Sequence, residues 1–163
     1  MQSESSALTT FYQGWQRYQD HLAQAIARLT PDQLALRAAP RLRSIGTLAG
    51  HIVAARAYWF HNSLGEGGAD IAAMTDWDEQ DPVEQTAAEL VAGLESTWQL
   101  MQNAVAGWTP AEFAAESFPR TWRGQEYKLS RQWVVWHLLE HDLHHGGEIS
   151  LTLGMYGLEP PDV

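Results

Sequence analysis

Apolar residues recur along most of this chain at steps of three and four, the spacing that lines one face of an α-helix. From about Ser6 to Leu29 the stripe is Leu8, Phe11, Trp15, Tyr18, Leu22, Ile26 and Leu29. It stops at Thr30-Pro31-Asp32-Gln33. There Thr can cap, Pro fits a first helical turn and Gln33 completes a capping box, so a short helix should follow before Pro40. A second long pattern runs from about Ser44, a good N-cap, to Leu64, with Leu48, Ile52, Ala55 and Trp59 on its apolar face. Gly65-Glu66-Gly67-Gly68 ends it.

The stretch from there to Asp81 is polar and irregular, with Met74 and Trp77 expected to dip into the surface. It is long for a connection in so small a domain, so it should wrap one end of the molecule or cover a site. Asp81-Pro82-Val83-Glu84 reads as the start of a third long helix, with Val83, Leu90, Leu94, Met101, Val105 and Trp108 as its buried stripe. Thr109-Pro110-Ala111-Glu112 closes it with another capping box. Ser117 to Gln125 reads as loop, and no strand-like alternation of useful length is expected. The last helix should run from Ser130 to about Tyr156, with Gly157 and Pro160-Pro161 beyond it. A weak internal repetition (Leu29-Thr30-Pro31 against Trp108-Thr109-Pro110, and Ser44 and Ser130 each seven residues before a histidine) suggests two related helix pairs. The pattern predicts an all-α fold, a four-helix up-down bundle with a long connection between the second and third long helices, in a single domain over residues 1–163.

Composition narrows the chemistry. The chain has no Cys, which excludes disulfides, thiolate nucleophiles and Cys-based zinc sites. A metal would therefore have to be held by His, carboxylate or water. The formal net charge of −10 repels a polyanion, and the basic pairs Arg41/Arg43 and Arg120/Arg123 are too small for a nucleic-acid footprint. No signal peptide or membrane span is legible, so the expected compartment is the cytoplasm.

The histidines carry the strongest signal. His21 and His61 sit among polar or mixed neighbours and read as surface or helix-end residues. His137, His141, His144, His145 and Glu148 fall within roughly a third of the circumference of the last helix. Imidazoles at i and i+4 point the same way one turn apart and can grip one ion. His51, mid-helix beside Leu48, Ile52 and Ala55, is the natural partner from a facing helix. Taken alone, it would more often be a hydrogen-bonded core histidine. His137 and His145 both lie four residues from His141, so spacing hardly separates the two possible triads. Glu140 and Glu148 are candidate bases, although acidic residues on long helices usually face solvent. Gly146-Gly147 in mid-helix costs about 1 kcal/mol per glycine relative to Ala, and either a close neighbour or a helix break would explain it.

Two segments resemble the DinB/YfiT-like superfamily of metal-binding four-helix bundles. Ser44-Ile45-Gly46-Thr47-Leu48-Ala49-Gly50-His51 looks like that family's helix ending in its first ligand. His141-x-x-x-His145-Gly146-Gly147-Glu148-Ile149 looks like its His-x-x-x-His-Arg-Gly-Gln-Ile signature, with Gly146 in place of Arg and Glu148 in place of Gln. The resemblance implies that His51, His141 and His145 bind a divalent ion, Zn or Ni first. It further implies homodimers and a metal-dependent enzyme acting on small molecules, as a thiol transferase using a low-molecular-weight thiol or as a hydrolase. The alternative is a non-catalytic bundle that the metal staples or that senses it. A bundle without metal, acting by association, is disfavoured by the histidine cluster.

Overall fold

The computed structural model describes residues 3–161, with side chains from Thr10 onward, so Leu8 of the first stripe lies outside the described side chains. The element order is α1 (Ser3–Ala27), α2 (Pro31–Leu34), α3 (Ile45–Ala57) continued by a π-helical stretch (Tyr58–Ser63), α4 (Ala69–Ala72), α5 (Ala87–Gly107), α6 (Pro110–Ala114), β1 (Glu116–Trp122), β2 (Gln125–Ser130) and α7 (Arg131–Met155). The four-helix bundle is formed by α1, α3, α5 and α7.

Caps set most of the boundaries. Thr30 and Gln33 form the capping box of α2, and Thr109 and Glu112 that of α6. Ser44 and Ser130 cap α3 and α7 by accepting from the backbone N–H three residues on. Arg56 reaches Asp142 while Trp59 reaches His137, so α3 and α7 run in opposite directions. Val53 lies beside Gly93, and Phe60 stacks on Trp108. α5 therefore runs alongside α3 in the same direction, which the long connection makes possible by carrying the chain back to the other end of the bundle.

Two expectations are corrected. The third long helix starts at Ala87 rather than Asp81, because Thr86 and Glu89 make its capping box. Asp81 is committed elsewhere: its carboxylate accepts both guanidinium nitrogens of Arg37, at 2.5 and 2.7 Å, and the Thr47 hydroxyl at 2.6 Å. Val83 consequently packs on α3 from the connection, not from a helix. The second correction is a two-stranded antiparallel hairpin where loop was expected, with Phe118 opposite Leu129, Arg120 opposite Tyr127 and Trp122 opposite Gln125. Phe118, Arg120 and Trp122 share one face, but Pro119 and the charged Arg120 break the apolar alternation that would have announced a strand.

The core is split in two. One cluster gathers Leu22, Ile26, Ile52, Leu90, Ile149 and Leu153; the other gathers Trp15, Phe60, Trp98, Met101 and Leu138. Full burial of such side chains stabilises by about 1.5–3 kcal/mol each. Between the clusters lies a polar layer in which Gln19, Arg56, Thr97 and Asp142 are all buried. The histidines sit at the edge of this layer.

α7 continues unbroken through Gly146-Gly147. A Cβ on Gly146 would lie 2.1 Å from the Tyr18 hydroxyl, so glycine there lets α1 close on α7, whereas Gly147 faces open space. Burial and the nearby Asp142 charge push the Tyr18 hydroxyl up to about 12. It stays a neutral phenol against the helix.

Candidate metal centre

α3 supplies His51, and successive turns of α7 supply His141 and His145. The ring centroids lie 4.6 Å apart for His51 and His141, 4.7 Å for His51 and His145, and 4.4 Å for His141 and His145. One nitrogen from each ring falls within 4.8 Å of the others, so the group could hold a metal ion. The Nε2 atoms of His51 and His141 are 3.0 Å apart. Two ligands of a tetrahedral ion with bonds near 2.0–2.1 Å lie about 3.3 Å apart, so a shift of a few tenths of an ångström would fit them to one ion.

Tautomers fit as well. His51 Nδ1 lies 2.5 Å from Asp78 Oδ2, and His145 Nδ1 lies 2.7 Å from Glu148 Oε2. A carboxylate on Nδ1 keeps the proton there, leaves Nε2 as a bare lone pair and raises its basicity. His141 Nδ1 is buried with no hydrogen-bond partner. Burial, then the neighbouring rings of His145, His51 and His137, then Arg56 depress His141 to about 3. Burial is also the leading cause that lowers His51, opposed by Asp78, and His145, opposed by Glu148. All three rings are neutral at neutral pH, the form that binds metal.

Asp78 reaches His51 because the connection is pressed against α3. The Trp77 carbonyl oxygen would lie 3.1 Å from a Cβ at position 50, so Gly50 leaves room for the backbone that places the next residue on the next histidine. This carboxylate escaped the sequence reading. Its only local signal was an acid beside Trp77, which had been expected to pack inward.

His137 stands apart from the triad. Its ring stacks on Trp133 at 4.9 Å, meets Trp59 at 5.4 Å and lies 6.1 Å from His141. Exposed His144 joins a second possible group with His145 and Glu148. His61 Nδ1 lies 3.3 Å from the Glu66 carbonyl oxygen, a helix-end role. Of the two candidate bases, Glu148 is tied to His145, and Glu140 is largely solvent-facing, 3.9 Å from His137.

A bundle of four long helices with a histidine trio between facing helices defines a class of helical proteins able to hold a metal ion within the bundle. The chain belongs to the DinB family, which it matches over residues 1–163. Its fold is similar to that of a DinB-like protein from Bacillus cereus, with a TM-score of 0.70 and 22% identity over 94% of this chain and 95% of that one. No curated protein matches the chain in sequence. Among the described residues, no helix is long and apolar enough to cross a membrane.

Proposed function

We propose that His51, His141 and His145 bind one divalent ion, Zn or Ni, and that the chain is a metal-dependent enzyme acting on a small molecule. The observation that carries this is the prepared donor set: two imidazoles held by Asp78 and Glu148 through Nδ1, and a third, His141, whose Nε2 lies 3.0 Å from that of His51. Such an ion, with three protein ligands and an open position, lowers the pKa of a water or thiol that binds it. A cavity of about 350 Å³ lined by Arg41, Arg43, His145, Glu148 and Leu151 opens beside the triad and admits a small molecule. Arg41 and Arg43 both line that mouth, so it favours an anionic or polarised substrate. The family resemblance ranks thiol transfer ahead of hydrolysis.

A purely structural staple is the weaker reading. The triad joins only α3 and α7, which the buried Arg56–Asp142 pair already joins. Metal analysis and X-ray absorption on protein purified without a His tag test the choice. Three protein nitrogens plus an exchangeable ligand support the enzyme; full protein ligation supports the staple.

We further infer a homodimer. The outer face of α7 exposes Trp136, Leu143, Leu151 and Met155 at 56, 47, 63 and 58%. With Gly147 open beside them, they form an apolar face, interrupted by the exposed Glu140, that a second copy would cover. A monomer mass in light scattering at micromolar concentration would overturn this.

A further inference from the structure

The hairpin roofs a second cavity, of about 420 Å³, on the opposite side of His141 from the mouth at His145. Trp59, Trp133 and His137 form its floor, and Arg120, Trp122 and Tyr127 form its wall. Trp122, Tyr127 and Trp133 are 60, 45 and 40% exposed, so three large aromatic side chains border one concavity with much of their surface uncovered. Contiguous exposed aromatic surface around a hollow is the usual character of a ligand pocket.

Its polar content is unusual for this chain. The Arg120 guanidinium lies 4.4 Å above the Trp59 ring. Among the described residues it makes no ion pair or hydrogen bond, so its fork of N–H donors has no anion to bind. The hairpin carries three of the ten Lys and Arg residues, Arg120, Arg123 and Lys128, against two acids, Glu116 and Glu126, in a chain of net charge −10. The hairpin is thus a local cationic element, and strand alternation points one of its cations, Arg120, into the aromatic hollow. Lys128, opposite Pro119, is on the outer face.

We propose that this cavity binds a small planar carboxylate, aromatic or conjugated, with its flat body between Trp133 and Trp122 and its carboxylate on Arg120, which Trp59 supports from below. A guanidinium matches a carboxylate with two parallel hydrogen bonds and stacks on aromatic faces at the same time. Aromatic rings on the floor supply affinity for a flat apolar body, and the cation supplies the choice of anion over neutral analogue.

Isothermal titration of the full-length protein, as isolated and after metal removal by EDTA dialysis, tests this with naphthoate, neutral naphthamide and acetate. Naphthoate should bind saturably in both preparations, naphthamide about tenfold or more weakly, and acetate not measurably. Arg120→Gln should bring naphthoate down to the naphthamide level while leaving naphthamide unchanged. Lys128→Gln removes the same charge from the outer face and should leave both affinities alone. Equal binding of naphthoate and naphthamide, or equal loss in both variants, overturns the proposal. Naphthoate binding that vanishes with the metal does so too, because the carboxylate would then sit on the ion. The metal content of the same samples is read separately, so an empty pocket and an empty metal site give distinct results.

Discussion

The Arg56–Asp142 pair and the histidine triad lie in the same layer between α3 and α7, one built from residues adjacent to the other. In the pair every charge is answered. Asp142 accepts from Arg56 Nε and Nη2 and from Trp15 Nε1, and Arg56 also donates to the Leu94 carbonyl. Both side chains are fully buried. In the triad, by contrast, only one ring nitrogen of each of His51 and His145 is anchored by a carboxylate, and the buried Nδ1 of His141 has no hydrogen-bond partner at all. A closed network holds helices together; a half-open one is the form a binding site takes. The contrast supports the proposal that the pair serves folding and the triad a ligand, and each half of it can be broken separately.

The largest expected effect is on metal occupancy. His51→Ala, His141→Ala and His145→Ala should each lose stoichiometric metal after dialysis, while His137→Ala and His144→Ala keep it. Elemental analysis of tag-free protein reads this directly. Full occupancy in His145→Ala with loss in His137→Ala would move the site one turn toward the hairpin. Metal-free stability should change little in His141→Ala, since the substitution opens a cavity but also removes an unpartnered buried nitrogen.

The pair should behave in the opposite way. Asp142→Ala leaves the Arg56 charge buried and unpaired and should destabilise the chain by about 3–5 kcal/mol, read by denaturant unfolding of metal-free protein. A cost no greater than that of His141→Ala would erase the distinction between the two groups.

The sequence exposed these groups unevenly, for physical reasons. His141 and His145 were legible because helical period alone puts them on one face, and Thr30, Thr109, Ser44 and Ser130 were legible because capping is local. The choice of His145 over His137 needed a family resemblance, since both satisfy the same spacing. It was the packing of His137 into the Trp59–Trp133 aromatic group that separated them in space. Asp78 and the Arg56–Asp142 pair were not legible. Their partners lie 27 and 86 residues away, and no periodicity links a connection to a helix or reports which charges meet across a bundle. The hairpin was missed because an arginine occupies an inward position, the same residue that gives its cavity a charge.

A smaller effect sharpens how the triad is supported. Asp78→Asn keeps the shape of the side chain but weakens the acceptor that orients His51. Metal affinity should fall by roughly 10–100-fold, the usual cost of losing a carboxylate behind a metal-binding histidine. Competition with a chromogenic chelator measures it, and an unchanged affinity would make Asp78 a surface contact only.

The smallest effect concerns the tether that holds the connection in place. Asp81 is bound by Arg37 and Thr47 three residues beyond Asp78, joining the connection to the start of α3. Burial works against its charge, but hydrogen bonds from Arg37, Thr47 and Ser44 and the Arg37 charge outweigh it and hold the carboxyl at about 2. An ordinary Asp sits near about 3.9, so the folded pKa is the depressed one. The stabilisation is then fully present above the unfolded value and is lost as pH falls from about 4 through about 2. The side chains of Arg37 and Asp81 are 27 and 32% exposed, so solvent screening limits the contribution to about 1 kcal/mol or less. Asp81→Asn should therefore lower the thermal midpoint of metal-free protein slightly at neutral pH, and the gap from the parent chain should close as acid titrates the parent's carboxylate. Metal affinity should fall less in this variant than in Asp78→Asn, because the Trp77 backbone seated against Gly50 still carries Asp78 to His51. A gap that stays constant down to about pH 2 would show that the carboxylate charge contributes nothing to the tether.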